Sequence, residues 1–335
     1  MNTRVRVCGS IRFVIRINRN RPQGPTAEEQ QLAEVDLERI RQGGIPLGAE
    51  RRLAVIGDSR QPFFTSDLSA KEYAVAQAGG LQPVAQVMGS SVVKHGWYGN
   101  RSIFYTIGEL KALSAPWNMV RERAFDRLRQ EATLAGADAV IGIEIQNSGV
   151  VGDRDDVELV VFGTAVRDPT LPEHLRPSSP ACKRPVALCT LSGQEVDKLH
   201  RIGAELCGVV GHTTVLSVQL GMGSQWIMNS GGLLGQGQRM NIEIPEITQA
   251  VYEARRRAML NIEHQARELD ANQLVISTLN HSISHHEYEQ NGYRLNYFHV
   301  TMHVLGTAIR VGAREPQPEP LKLPMLALNL GKNKQ

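Results

Sequence analysis

The sequence predicts an α+β protein made of two copies of one folding unit, each with a small antiparallel sheet, one short helix and one long helix. The run FGTAVR at 162–167 returns as LGTAIR at 305–310, both times at the end of an apolar, alternating segment. Further landmarks recur in the same order in both halves. Helices and strands do not alternate regularly, which is typical of α+β rather than α/β proteins.

The short helix of each unit carries the same start signal. Ser69 and Glu72 form an S-x-x-E pattern, and Ser192 and Glu195 repeat it 123 positions later. In such a capping box the serine oxygen accepts from a free backbone amide, while the glutamate reaches back to the amide of the serine. The repeated box predicts one helix start in each unit.

A strand and a long helix are expected next in each unit. The apolar segment at 83–93 predicts the strand, and its Gly89 aligns with Gly211. Apolar residues at three- and four-residue steps predict the long helix. In the second half they are Ile247, Val251, Ala254, Ala258, Ile262, Ala266 and Leu269. In the first half they are Trp117, Val120, Ala124, Leu128 and Ala135.

Each unit is expected to end in a two-stranded hairpin. Asn291-Gly292 is the dipeptide preferred in a type I′ turn, and this turn pairs residues whose numbers sum to 583. The segment 152–156 takes the place of the turn in the first half. A sheet this small has edges that it cannot cover alone, so self-association is expected.

These features predict five segments of the chain. They are a basic N-terminal segment with a connector helix (1–50), the first unit (51–168), a Pro-rich linker (169–185), the second unit (186–312) and a Pro-rich tail with an apolar end (313–335).

The composition narrows the class of protein. A chain of 335 residues with 41% hydrophobic and 21% charged residues is long enough for about two globular domains. A net charge of +3 argues against nucleic acid or a membrane surface as the partner of the whole protein. Four cysteines without CxxC spacing predict reduced thiols and a cytoplasmic location. No apolar run approaches the roughly 18 residues of a membrane helix.

The sequence resembles a known family in both halves. The runs AGADAVIGIEI and ELVVFGTAV at 135–145 and 158–166 resemble the YbjQ-type heavy-metal-binding family. In the second half CTLSGQEV, LCGVVGHTTVL and NGYRLNYFHVTMHVLGTAI do so too, although DANQL at 270–274 departs from the GADAV of the first half. The resemblance implies dodecin-like α+β units, a pentameric ring, and a binding or assembly role with no catalytic residues to carry over.

Two units in each chain raise a question of ring geometry. Five equivalent positions cannot be filled evenly by pairs of units. Two stacked five-fold rings or one ring of ten positions would solve this. Stacking is the preferred hypothesis here, because diverged units are expected to pack with their own kind.

Histidines concentrate near the end of the second unit. They are His281, His285, His286, His299 and His303. With the expected turn, His286 lies opposite Tyr297 and diagonal to His299 on one face of the sheet. A divalent heavy metal could bind there, but two ligands fall short of the four in a closed zinc site, so neighbouring copies would have to add more. A polar sheet face is the alternative interpretation.

Two other groups of residues have chemical potential. Cys189 and Cys207 could form a thiol pair on adjacent strands, or could be small buried hydrophobic residues. The Gly-rich segment at 220–239 lacks the Gly-Lys-Ser/Thr ending of a phosphate loop. It is interpreted as a mobile loop or as a loop ordered at a subunit contact, and its apolar residues favour the contact. No motif of nucleophilic or metal-assisted catalysis is present.

The two ends of the chain suggest partners. The N-terminal arginines could contact a polyanion, or their segment could form strands that pack on the protein. They are Arg12, Arg16, Arg19 and Arg21. The apolar end of the tail could dock on another protein or fold back on its own ring. Its candidate contact residues are Leu323, Met325, Leu326 and Leu328.

The sequence therefore predicts a non-enzymatic, self-assembling, ring-forming protein with a binding or scaffold role. One alternative is a heavy-metal-binding protein that uses the histidines of the second unit. The other is an enzyme or small-molecule site at a subunit interface.

Overall fold

The structure is a computed structural model that describes residues 26–58, 65–94, 107–146, 156–182, 184–229, 243–290 and 293–313. Seven α-helices and eight strands lie within these ranges. The first half contains α1 (Ala27–Arg41), α2 (Leu47–Asp58), α3 (Ala70–Ala78), β1 (Gln82–Lys94), β2 (Ile107–Glu109), α4 (Lys111–Leu134), β3 (Ala139–Gln146) and β4 (Asp156–Arg167). The second half contains β5 (Ala187–Leu188), α5 (Gly193–Arg201), β6 (Glu205–Gln219), α6 (Met222–Asn229), α7 (Pro245–Glu268), β7 (Gln273–Gln290) and β8 (Tyr293–Arg310).

The strands form two four-stranded sheets, which confirms the α+β fold class. The first sheet has the order β1-β4-β3-β5, and the second has the order β2-β6-β8-β7. Three antiparallel strands of the first sheet correspond to three of the second: β1 to β6, β4 to β8, and β3 to β7. The fourth strand of each sheet comes from the other half of the chain.

The pairing register is the same in both sheets. Gln82 pairs with Arg167 in the first sheet, and Glu205 pairs with Arg310 in the second. An irregularity follows the second residue of β1 and of β6, and another interrupts β3 and β7 at corresponding places. The residues of β6 and β7 are therefore found by adding 123 to those of β1 and 134 to those of β3.

This register corrects one detail of the sequence alignment. Gly89 pairs with Val161, and His212 pairs with the corresponding Val304. Gly89 therefore occupies the place of His212, one residue beyond Gly211. The sequence alignment was wrong by one residue because it matched glycine to glycine, whereas the strands keep the offset of 123 that the capping boxes already show.

The expected helix signals are present in the structure. Both capping boxes are formed, by Ser69 with Glu72 and by Ser192 with Glu195. The predicted apolar seam of α7 is buried along Ala254, Ala258, Ile262 and Ala266, and α4 buries the corresponding seam against the first sheet. The periodicity therefore identified the packed faces of both long helices.

The segments around the two units differ from the expectation in two places. Helix α2 runs across the predicted boundary at 50/51, and its Leu53 is fully buried in the core of the first unit. Residues 222–229, predicted as part of a loop, form α6. The predicted connector helix is α1, which begins at a capping box of Thr26 and Glu29.

Several sequence predictions fall outside the described residues. They concern the N-terminal arginines, the turn residues 152–155 and 291–292, part of the Gly-rich segment and the tail from 314 onward.

In the part of the chain that the structure describes, no helix is both long enough and apolar enough to cross a membrane.

We expect Gly89→Ala to destabilise the protein by about 3 kcal/mol, since an added Cβ would lie 1.9 Å from the backbone oxygen of Ala124 in α4. A backbone atom of a long helix cannot move aside cheaply. Denaturant unfolding measures the loss. Gly48→Ala is the matched control, because its Cβ would meet no atom within 4 Å. Equal stability of the two variants would contradict this account of the contact between α4 and β1.

Candidate functional site

Backbone and side-chain hydrogen bonds join the two units, and the contact begins with strand β5. This strand lies parallel to β3, although it belongs to the second half. The amide of Cys189 donates to the oxygen of Val140 at 2.8 Å. The amide of Gly142 donates to the oxygen of Leu191, also at 2.8 Å. The segment 187–191 thus completes the edge of the first sheet.

The first half completes the second sheet in return. Strand β2 pairs antiparallel with β6, with Ile107 opposite Val218. The amide of Leu110 then donates to the oxygen of Val215 at 2.8 Å, just before α4 begins. The two units therefore exchange edge strands within one chain.

Helix α4 adds a row of polar contacts to this exchange. Ser114 accepts from the amide of Val215 at 3.0 Å. Asn118 accepts from the amide of Thr213 at 2.8 Å and donates to its oxygen at 3.0 Å. Arg121 donates to the hydroxyl of Thr213 and, at 2.7 Å, to Asn118. These side chains attach one helix of the first unit to the backbone of β6 in the second.

Arg121 places a charged group in the buried contact between the units. It is 9% exposed, and burial lowers the pKa of its guanidinium to about 10. Removing a charge from water is unfavourable unless hydrogen bonds replace the lost hydration. The bonds to Thr213 and Asn118 supply part of this replacement. An ion pair between Arg257 of α7 and Glu109 of β2, at 3.4 Å, joins the units at a more exposed place.

A cavity of about 490 Å³ lies beside this row, between the two sheets. Arg121, Trp117 and Glu144 line it from the first unit, and Asn280 and His303 line it from the second. The ring of His303 meets the edge of Trp117 with centroids 4.8 Å apart. Its Nδ1 lies 2.9 Å from the hydroxyl of Thr213. Burial, with a smaller effect from the charge of Arg121, lowers the pKa of His303 to about 4.

The predicted histidine pair lies elsewhere, on the hairpin of β7 and β8. His286 faces Tyr297, as the sum of 583 requires, and the rings of His286 and His299 have centroids 4.3 Å apart. Burial, and then the neighbouring His286, lower the pKa of His299 to about 4. His285 instead stacks on Phe298 at 4.7 Å. Among the described residues, no group of three or more His, Cys, Asp or Glu side chains is arranged to hold a metal ion.

The two predicted thiols lie in different sheets. Cys189 follows β5 in the first sheet, and Cys207 lies on β6 in the second, so the expectation of adjacent strands in one sheet was wrong. Both are free thiols. Burial raises the pKa of Cys189 to about 12 and also raises the pKa of Cys207. Both therefore favour the protonated form, which is a poor metal ligand and nucleophile.

Sequence reasoning missed the residues that join the units. Ser114 and Arg121 flank the apolar seam of α4, since Arg121 comes four residues after Trp117. Polar side chains at the border of such a seam are ordinarily solvated, so the pattern did not mark them as contacts. One signal was present, because Arg121 recurs 134 positions later as Arg255. The other predicted site residues are outside the described part of the chain. They are Arg12, Arg16, Arg19, Arg21, Leu323, Met325, Leu326 and Leu328.

Comparison with known proteins identifies the class of the first unit. Residues 64–168 match the model of the YbjQ family, which is described as "Putative heavy-metal-binding". The first unit is thus a YbjQ-like domain with an α+β fold. That the second unit is another copy of this family stays a prediction from the repeat.

Three individual relatives are similar to the chain. The Encapsulin nanocompartment protein Rv1762c of Mycobacterium tuberculosis is 29% identical over 266 residues, which cover 78% of this chain and 92% of the relative. UPF0145 proteins of Lacticaseibacillus casei and Clostridium novyi are 43% and 45% identical over 60 residues. Those matches cover 18% of this chain and 54% and 56% of the relatives, so the chain spans about half the length of these shorter proteins.

The lowered pKa of His303 predicts acid-sensitive stability. An unfolded histidine titrates near pH 6.5, so the folded state favours the neutral ring, and this contribution is complete above that pH and lost as the pH falls toward 4. We expect His303→Gln to remove about 2 kcal/mol of the difference in unfolding free energy between pH 7 and pH 4. Chemical denaturation across this range measures the difference.

His264→Gln is the control for the pH experiment, because the side chain of His264 is 75% exposed on α7. It should keep the loss of stability toward pH 4 that His303→Gln removes. A His303→Gln profile that coincides with the wild-type profile would show that His303 is not held neutral by the contact between the units.

Proposed function

We propose that this protein is a non-enzymatic scaffold subunit that assembles with copies of itself and forms part of a protein compartment. One observation carries this proposal. The two units complete each other's sheets, and the long strands β1 and β7 each lie at one end of a sheet, the other ends being the two- and three-residue strands β5 and β2. An edge strand offers unpaired backbone groups to another chain.

The side chains along these edges support the proposal. On β1, Met88 and Val92 are 40% and 61% exposed. On β7, Ile276, Leu279 and Ile283 are 36% to 44% exposed. Long edge strands with exposed apolar side chains favour association, and natural proteins usually blunt such edges with charges or cover them.

The similarity to a protein named for an encapsulin nanocompartment supports the compartment role, because the match extends over most of both chains. The family resemblance of the first unit supports a ring of five chains. Since the two units lie side by side and exchange strands, a ring of ten positions fits this contact better than the stacked rings preferred from the sequence. The apolar tail residues Leu323, Met325, Leu326 and Leu328 would attach this ring to another protein of the compartment.

We expect five copies of the 37.0 kDa chain, about 185 kDa, in native mass spectrometry of the purified protein. A chain ending at 313 should keep this stoichiometry, because both units remain. In lysates of the source organism, the full chain should sediment with particles much larger than the ring, and the shortened chain should sediment as the free ring. A monomer in native mass spectrometry would refute the scaffold function, and unchanged sedimentation of the shortened chain would refute the docking role of the tail.

The histidine pair favours a second candidate function, the binding of a divalent heavy metal. The rings of His286 and His299 are close enough to share one ion after small rotations. The lowered pKa of His299 keeps its ring neutral at physiological pH, as a metal ligand must be. Copies of the hairpin brought together in an assembly would supply the remaining ligands.

We expect the assembled protein, loaded with Zn²⁺ and desalted, to retain about one ion for each histidine pair or each symmetric group of pairs. The double variant His286→Ala, His299→Ala should lose at least about tenfold in retained zinc, measured by elemental analysis. His264→Ala should retain the wild-type amount, since this histidine is exposed and lies on another element. Equal zinc in the double variant and the wild-type protein would remove this function.

A further inference from the structure

We propose that a second copy of this chain docks on β7 and repeats, between chains, the contact that joins the two units within one chain. Residues 65–68 of the second copy would lie on the outer edge of β7, as the segment 187–191 lies on β3. This inference rests on the proposed self-assembly and specifies its surfaces. It follows from three comparisons between the units.

The first comparison concerns the sheet edges. Strand β3 is covered by β5, and its counterpart β7 has no further strand beside it among the described residues. Strand β6 is covered by β2 at residues 216–218, and the corresponding part of β1 begins at Val93, near the end of a strand that closes its sheet. Closer to its start, β1 is already bound by side chains: Arg52 and Arg127 donate to the oxygens of Gln86 and Ser90, and Glu131 accepts from the amide of Met88. The edge of β7, and the end of β1 after Ser90, thus correspond to edges that are covered in the other unit. One chain therefore carries, on its outer strands, the counterparts of both surfaces that join its two units.

The second comparison concerns the docking segment. The amide of Thr190 donates to the hydroxyl of Thr307 at 3.1 Å, and the amide of Asp67 donates to the corresponding hydroxyl of Thr164 at 3.2 Å. Residues 65–68 are thus held on their own unit in the same way as 188–191. Their surroundings differ: Leu188, Cys189 and Leu191 are buried, whereas of their counterparts Thr65 is exposed and Ser66 and Leu68 are partly exposed.

The strands that receive these segments, β3 and β7, also differ in how deeply their side chains are buried. Val140 and Ile141 of β3 are fully buried under the docked segment. Their counterparts on β7, Leu274 and Val275, are partly exposed, and the next residue, Ile276, is 36% exposed. Docking of residues 65–68 would bury these side chains and pair the backbone of β7, as happens on β3.

The third comparison concerns the long helices. The row Ser114, Asn118 and Arg121 on α4 has its counterparts in Thr248, Tyr252 and Arg255 on α7. Tyr252 is 70% exposed and Arg255 is exposed, whereas Arg121 is buried against β6. On β1, the counterparts of Thr213 and Val215 are Ser90 and Val92. Val215 is 2% exposed, compared with 61% for Val92.

These correspondences identify one charge pair between chains. Glu109 of β2 pairs with Arg257 of α7 at 3.4 Å, across the two units. Adding 134 to Glu109 gives Glu243, and subtracting 134 from Arg257 gives Arg123, both of which are exposed. In the repeated contact Glu243 of one copy would meet Arg123 of the next. Because units of two kinds alternate, a closed ring of such copies contains an even number of units.

The test exchanges the two charges. Arg123→Glu and Glu243→Arg each place like charges together, and each should raise the concentration at which the assembly dissociates at least about tenfold. The double variant restores an opposite pair and should recover assembly to near the wild-type level. Light scattering after size-exclusion chromatography over a dilution series measures this. Weakening by both single variants without recovery in the double variant, or no weakening at all, would overturn the proposed pairing.

A second pair of variants tests β7 itself. The double variant Ile276→Lys, Leu279→Lys places charges on the proposed edge and should leave single chains at concentrations where the wild-type protein is assembled. Leu260→Lys is the matched control, because this residue is 52% exposed on α7 away from the proposed contact, and it should assemble normally. Circular dichroism checks that each variant is folded.

The outcomes separate this inference from the proposed function. A wild-type chain that stays single refutes the self-assembly on which both depend. If the wild-type chain assembles and the double variant Ile276→Lys, Leu279→Lys assembles equally well, the scaffold function stands and docking on β7 is overturned.

Discussion

The need to pair the backbone groups at sheet edges is the constraint on which this structure depends. In the described residues each unit contributes three antiparallel strands of its own, and this open sheet has two edges that must be paired. The chain solves this at one junction by exchanging β2 and β5 between the units. The exchange determines which helix faces meet which sheet, where the cavity of about 490 Å³ forms, and which edges remain outermost.

The exchange is reinforced by polar contacts that are unusual for a buried surface. Arg121, with Asn118, binds the strand β6 through Thr213. A buried charge contributes little net stability, but it is strongly unfavourable when its partners are displaced. We interpret this row as a device that sets the register of the two units, because a shift by one residue would leave the guanidinium without its partners. His303 beside it also favours the neutral form, because its ring is buried and, to a smaller extent, because Arg121 would repel a second positive charge.

The histidine pair and the contact between units are separate sites with different origins. His286 and His299 are brought together by the pairing of β7 with β8, two strands that are neighbours along the chain. The contact between units depends on residues more than 90 positions apart in the chain, such as Asn118 and Thr213. For this reason the sequence could place the histidines but not Arg121.

Local signals in the sequence determined the elements of this protein. The two capping boxes, the apolar seams of α4 and α7 and the dipeptide Asn291-Gly292 predict helices and hairpin register because each acts within a few residues. The repeat of FGTAVR as LGTAIR predicted two similar units and therefore the α+β class. Only the tertiary structure decided that β5 joins the first sheet and β2 the second, and that α4 contacts β6. Those choices depend on which sheet edges and helix faces come into contact. The free energy of such a contact depends on residues far apart in the chain, so no short stretch of sequence determines it.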